Sequence, residues 1–428
     1  MGWWVAQRPG TVEIDWLGYS INAHVGFLLL VLLIFIMVLL FVHRLFLALL
    51  GLPGYLRRRK LQKQYDKGYR ALVRGLSAVA AGDGKQAGGM AEQNRKYWPE
   101  DKVLSVMLEA QAARLTGENE KSAHAYAQLM ENKDAAFIGL RGLMGAAVED
   151  GETDKALGYA RRALVLHPRQ KWLLGAVYDL ELLMRDWDAA RSTLKSAVKY
   201  KAIPADRAQS DRVAMLMYEA GLYTEGGQAK KVQKVLEEAH KIDPSFVPAA
   251  EELARLYHTR NKRRKAVKIV ETAWKLSPHP ELTAVWAELA PENKATDSAV
   301  RLRWFEKLVA LRPDSAESQM AAAKAALEDG LWGEARQYLA MADQIRGSAG
   351  LYRLYARLAE RQNHPAEAAE WLEKAADAPA EDVWYCTQTG RIYERWMPIA
   401  LPHGAFNSII WGLPQARIPV AALSPLAG

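Results

Sequence analysis

Residues Val25 to Val42, VGFLLLVLLIFIMVLLFV, contain no charge, no amide and no hydroxyl. As a helix this run of eighteen residues is about 27 Å long, close to the roughly 30 Å hydrocarbon core of a bilayer. A helix buried in a soluble core keeps a polar flank, and this run has none on any face. It is also longer than the apolar part of a signal peptide, and no small-x-small cleavage site follows it. The run therefore reads as a membrane span. Apolar character resumes after His43 and Arg44 and continues to Leu52, so the helix is expected to extend into the interface.

The span also explains the charge. The chain of 428 residues carries a net +8, which by itself suggests an anionic partner such as nucleic acid. Arg57 to Arg74, however, hold eight cations against Asp66 alone, a balance of +7 that leaves about +1 for everything else. Basicity concentrated beside a span orients it and attracts anionic head groups. It does not make a nucleic-acid face in the folded domain. Met1 to Ser20 carry −1, and the asymmetry puts them outside and the bulk of the chain in the cytoplasm. Within that segment Thr11 to Trp16 alternates as a short strand would, Arg8-Pro9-Gly10 reads as a turn, and Trp16 and Tyr19 fall at belt height. A single cysteine, Cys386, excludes an intramolecular disulfide framework and any all-cysteine metal site.

From Tyr65 the pattern is helical, and internal repetition sets the architecture. Of Ala156, Ala163 and Pro168, the first two recur as Ala190 and Ala197 thirty-four residues later. Ala239 and Pro244 recur as Ala273 and Pro278, and Pro313 and Gly347 stand at the same interval. Small residues at a close helix crossing, with a proline ending the second helix, once per thirty-four residues, are the tetratricopeptide pattern. Leu174, Val177 and Tyr178, and again Leu253, Ala254 and Tyr257, take the large positions where the two helices pack. About seven units fit between Val103 and Asp377. The phase slips near Pro291 and by one residue at Ala368 and Ala375, and the helices over 65–97 form the cap and the elbow to the membrane.

Chemical motifs are sparse. There is no GxxxxGK[ST] loop, no HExxH and no strand followed by GxGxxG, and Gly82-Asp83-Gly84 reads as an inter-helix turn. Paired acids fall on the polar faces of amphipathic helices. His167, His279 and His364, each followed by proline, are expected at helix C-termini against the macrodipole. No nucleophile, base and orienting group assemble, so the reading names no catalytic, cofactor-binding or metal residue and no enzyme.

Three stretches together resemble the HemY-type inner-membrane proteins, a proteobacterial tetratricopeptide family associated with the haem pathway. They are RPGTVEIDWLGYSINAHVG leading into the span, LPGYLRRRK followed by GYRALVRGLSAVAAGD, and the repeat array. The resemblance implies a further apolar helix ahead of the RPG segment. Met1 lies only seven residues before Arg8, so the expectation is one span here, or a start further upstream. Related chains can end in a zinc ribbon of two CxxC knuckles, and WYCTQTG with ALPHGAFNSIIW follows that outline. Its four ligand positions read Cys386, Thr389, Ala400 and His403, and only two of them are zinc donors. The ribbon's shape is expected to survive on Trp384, Tyr385, Trp396, Phe406 and Trp411 without a metal.

The sequence thus predicts an all-α chain: a transmembrane helix, a solenoid of tetratricopeptide-like helix pairs, and a small β-rich, zinc-ribbon-like end without metal ligands. Its segments are 1–20 outside, 21–52 spanning, 53–102 basic and capping, 103–380 solenoid, 381–414 ribbon-like and 415–428 an unpatterned tail. The function this implies is a membrane-anchored scaffold at the cytoplasmic face of the inner membrane, binding proteins in its groove. By resemblance those proteins are enzymes of late haem synthesis. An envelope-assembly adaptor recruiting a protease or a lipid-synthesis enzyme is the alternative. A haem or porphyrin carrier using His240 or His258 is a third reading. No cofactor is expected, and the partners are proteins and the bilayer, without nucleic acid.

Overall fold

The computed structural model describes residues 10–16, 18–99, 102–291 and 299–414. The chain divides into two compact units, Met1–Leu143 and Met144–Gly428, and the division falls inside one helix, Ala136–Glu149. The turn expected at Arg8-Pro9 and the tail 415–428 lie outside the described residues.

The first unit opens on a hairpin. The expected strand β1 (Thr11–Trp16) is present and pairs antiparallel with β2 (Tyr19–His24), from Thr11 opposite His24 to Trp16 opposite Tyr19. Gly18 takes φ +85° in the two-residue turn, a conformation open to glycine without strain. The helix α1 then runs from Val25 to Ala80, 56 residues without a non-helical one among them. At helical rise that is about 84 Å. Val25–Leu47 is long and apolar enough to cross a membrane, and none of it is buried by protein. The sequence suggested an elbow between span and cap; the helix instead continues through Leu52 and the basic stretch into the first helix pair.

That pair closes on small residues. A Cβ on Gly68 would stand 2.5 Å from the Trp98 ring, and one on Gly75 would stand 2.8 Å from Leu108. Asn94 donates its side-chain N–H to Gly68 O at 3.0 Å, locking α2 (Gly84–Tyr97) against α1. Gly82-Asp83-Gly84 is the turn expected of it: Gly82 has φ +77° and Asp83 caps α2 by accepting from Gln86 N at 2.9 Å. α3 (Lys102–Leu115) and α4 (Asn119–Leu129) follow.

In chain order come α5 (Ala136–Glu149), α6 (Thr153–Leu166), α7 (Lys171–Leu183), α8 (Trp187–Lys199), α9 (Ala205–Glu225) and α10 (Ala229–Ile242). α11 (Val247–Thr259), α12 (Arg263–Leu276), α13 (Pro280–Glu288), α14 (Val300–Leu311), α15 (Ala316–Glu328), α16 (Trp332–Ile345), α17 (Ala349–Arg361) and α18 (Pro365–Ala376) complete the helices. From α3 onward the described residues hold eight pairs, one more than the repeats suggested. The small positions behave as expected: Ala156, Ala190, Ala197, Ala239 and Ala273 have no accessible surface. A second rhythm accompanies them. Gly82, Gly117, Gly151 and Arg185, then Gly227 and Asn261, then Gly330 and Asn363, all take positive φ in the turn inside a pair. The step from Arg185 to Gly227 is longer because α9 has 21 residues.

The phase slip at Pro291 also has a physical counterpart. Trp286 of α13 and Trp304 of α14 stack at 4.4 Å, and each indole N–H donates to the other residue's carbonyl, at 3.0 and 2.8 Å. This reciprocal lock takes the place of a small-residue crossing. The chain ends in five short strands where two or three were expected: β3 (Val383–Cys386), β4 (Ile392–Tyr393), β5 (Ile399–Ala400), β6 (Ala405–Phe406) and β7 (Ile409–Gly412). They form a sheet ordered β4-β3-β7 and a separate β5-β6 ladder.

Ala273 tests the crossing. Overpacking a filled core costs typically about 1–3 kcal/mol. Ala273→Trp in the full chain should lower the melting temperature by several degrees, whereas Lys268→Gln, on the exposed face of the same helix, should not. Equal tolerance at the two positions would mean that the repeat phase is misassigned.

Candidate functional site

In helix-pair arrays the first helix of each pair lines the inner surface, which is where partners usually bind. In the second unit that surface is already covered by the chain's own C-terminal strands. Trp384, Cys386, Trp396, Ala400, Ala405 and Ile409 belong to the same buried core as Val213, Leu253, Trp286 and Ala325. Phe406 meets Trp187 at 5.3 Å, and Trp396 meets Phe246 edge-on at 4.9 Å. His279 packs between Trp411 and Trp384, at 4.1 and 5.4 Å.

Polar contacts fix the register. Asn407 donates to Ser210 Oγ and Asp211 Oδ1, at 2.9 and 2.8 Å. Asp211 is held in turn by the Tyr178 hydroxyl at 3.0 Å. The Trp384 indole donates to Glu281 Oε1 at 2.8 Å, and Glu381 accepts from Gly350 N. Arg346 pairs with Asp382 at 3.1 Å. The element therefore touches α9, α13 and α17 and closes the groove from which the sequence reading expected partner binding.

Covering this surface changes its acids. Burial, reinforced by Glu381, holds the Glu317 carboxyl up at about 7. Burial and then the Glu251 charge raise Glu252 to about 7, with Arg395 of the strands pulling the other way. Glu281 and Glu251 are also raised by burial. His279 is pushed down to about 4, and its Nε2 has no partner in the protein. It is neutral at physiological pH.

The four ribbon positions come together as the outline implied. Both knuckle turns are present: Gly390 N donates to Cys386 O, and Gly404 N to Ala400 O, each at 2.8 Å. Cys386 Sγ lies 3.2 Å from His403 Nε2 and 3.3 Å from Ser408 Oγ. Two of the four tetrahedral donors are missing, and the thiol sits in a hydrogen-bonded network instead. Among the described residues no three His, Cys, Asp or Glu side chains are grouped to hold a metal ion.

The histidines divide differently from expectation. His167 caps the C-terminus of α6, as predicted. His279 and His364 stand at helix starts, His279 accepting from Glu281 N at 3.2 Å and His364 lying 3.4 Å from Glu367. Pro280 and Pro365 take the first helical positions there, where the missing N–H costs nothing, whereas Pro168 lies beyond the helix that His167 ends. His240 is buried on α10, which lowers its pKa, and His258 lies on α11. A cavity of about 920 Å³ opens elsewhere, between α8, α9 and α10, with Leu194, Val198, Met215 and Ile242 beneath Lys195 and Lys234.

Residues 10–117 match the family model described as the HemY protein N-terminus. Over 412 residues the chain is 24% identical to the "Probable magnetosome protein Mms48" of Magnetospirillum gryphiswaldense, covering 95% of this chain and 89% of that one. Among solved structures it is similar to a tetratricopeptide repeat protein from Parabacteroides merdae, at 14% identity and a TM-score of 0.30. That match covers 73% of this chain and 99% of the other. A crystal structure of MamA is similar at 18% identity and a TM-score of 0.25, over 41% of this chain and 91% of that one.

The raised carboxyls predict a pH dependence. Unfolded, Glu317 and Glu252 titrate near 4.5; folded, near 7. The folded chain thus binds more protons between those values, and stability falls as pH rises from about 4.5 to about 7. Melting of the full-length protein in detergent should be highest near pH 5 and lower at pH 8, and Glu317→Gln should flatten that slope. A slope of opposite sign would show that these carboxyls are ionised in the fold.

Proposed function

We propose that this chain is a membrane-anchored scaffold that holds partner proteins beside the cytoplasmic face of the bacterial inner membrane. The observation that carries the reading is the continuity of α1, which joins a membrane-length apolar helix to the first helix pair without a break. A binding array so tethered raises the local concentration of whatever it binds. The −1 and +7 charge balance on either side of the span supports the orientation. With the inner face of the second unit closed by strands β3–β7, partner contacts are assigned to other surfaces of the array.

The match of residues 10–117 to the HemY N-terminus supports late haem-synthesis enzymes as the clients. A second reading, an adaptor for assembling a membrane compartment, is favoured by the relative whose name makes it a probable magnetosome protein.

A null strain distinguishes the two. On the first reading porphyrins accumulate and haem falls, while each pathway enzyme keeps its normal activity when assayed alone. Exchanging Val25–Leu47 for an unrelated span of the same orientation should restore haem, since the span supplies place and not chemistry. Unchanged haem and porphyrin in the null strain would favour the adaptor. For orientation, cysteines placed at Ser20 and at Lys155 in a Cys386→Ala background should react from outside only at position 20. Labelling at 155 in intact spheroplasts would reverse the topology.

A further inference from the structure

The terminal helix of a repeat array ordinarily closes with a polar outer face. The cytoplasmic end of α1 does not. Its inner side, Gly68, Ala71, Gly75 and Ala78, is buried against the following helices. A second side carries Leu61, Tyr65, Tyr69, Val73 and Leu76, exposed by 56, 62, 55, 45 and 42%. Their spacing of three to four residues lines them up as one stripe. Beside it a third side carries Lys63, Lys67, Arg70 and Arg74, all exposed.

The bilayer does not explain Lys67, Arg70 and Arg74. Counted from Leu52, the last apolar residue of the run, Lys67, Arg70 and Arg74 stand about 22, 27 and 33 Å further along the helix. Head groups add about 5–8 Å to each side of the hydrocarbon core, and charges are screened beyond about 8 Å more. At a tilt of about 40°, the steepest usual for such helices, the three remain about 17–25 Å above the hydrocarbon edge. A second copy fits no better. Two chains anchored in one membrane meet in parallel, which sets like charges at the same height.

We propose that the exposed side of α1 from Leu61 to Leu76 docks an amphipathic helix of a partner protein. Its apolar residues lie on the Leu61–Leu76 stripe, and its Asp and Glu residues face Lys63, Lys67, Arg70 and Arg74. Burial of the apolar stripe supplies affinity, and the cation ladder supplies partner choice. This deepens the anchored-scaffold reading and rests on Val25–Leu47 being a span.

The test uses the full chain in nanodiscs of neutral lipid. The probe is a fluorescent amphipathic helical peptide with a leucine stripe and glutamate flanks, paired with a twin carrying lysine flanks. The glutamate peptide should bind, cross-link from a photoreactive residue at position 69, and lose at least tenfold in affinity to the Lys67→Glu/Arg70→Glu/Arg74→Glu variant. That variant should gain binding of the lysine twin, an exchange that a misfolded protein would not show. Equal binding of the two peptides overturns the proposal. So does cross-linking from position 69 to lipid or to a second copy, or displacement of the peptide by duplex DNA. Separately, extraction of the chain from cell membranes by alkaline carbonate would refute the span, whatever the peptides do.

Discussion

A helix that leaves a bilayer without a break carries its direction into whatever it joins. α1 runs unbroken from its membrane-length apolar stretch into the first helix pair, and the first unit is built on that continuity. The all-apolar cylinder of its first half becomes three-sided within a few turns. One side is pared to glycine and alanine so that Trp98 and Leu108 can approach, one is basic and one is apolar. No non-helical residue separates the apolar stretch from the first helix pair.

The repeats were legible because their physics is local. A small residue at a helix crossing is required each time the crossing recurs, and Ala163 with Ala197, then Ala239 with Ala273, announce it at a fixed interval. The positive-φ residues inside each pair were an equally regular signal. No residue pattern marks them, because the position is filled by Gly, Asn and Arg in turn, so the repeat is one of backbone conformation and not of residue type. Asn261, Asn363 and Arg185 were readable only once the turns were aligned. The second strand of the hairpin was hidden for another reason: YSINAH has the alternation of a strand but runs directly into the span, whose apolar signal dominates any window that includes it.

The covered groove could not have been read at all. Asn407 and Asp211 are joined across nearly half the chain, and nothing in either neighbourhood announces the other. The knuckle outline around Cys386 and His403 did survive as a shape, since its turns need only glycine at positions 390 and 404 and backbone hydrogen bonds. What replaced the metal as the source of cohesion is packing. Trp384, Trp396, Phe406 and Trp411 point into the helices, so a motif stable elsewhere through a bound ion is stable here through its host.

That arrangement has a consequence for biosynthesis. The strands that complete the inner surface of the second unit, Val383 to Gly412, follow every helix of the array in the chain. Until the strands emerge from the ribosome, Trp187, Phe246, His279 and the acids around Glu281 line an open trough with no cover. The nascent protein must keep this trough from foreign contacts for most of its synthesis. A chain cut short before Val383 would keep every helix and yet leave the middle of the array wet.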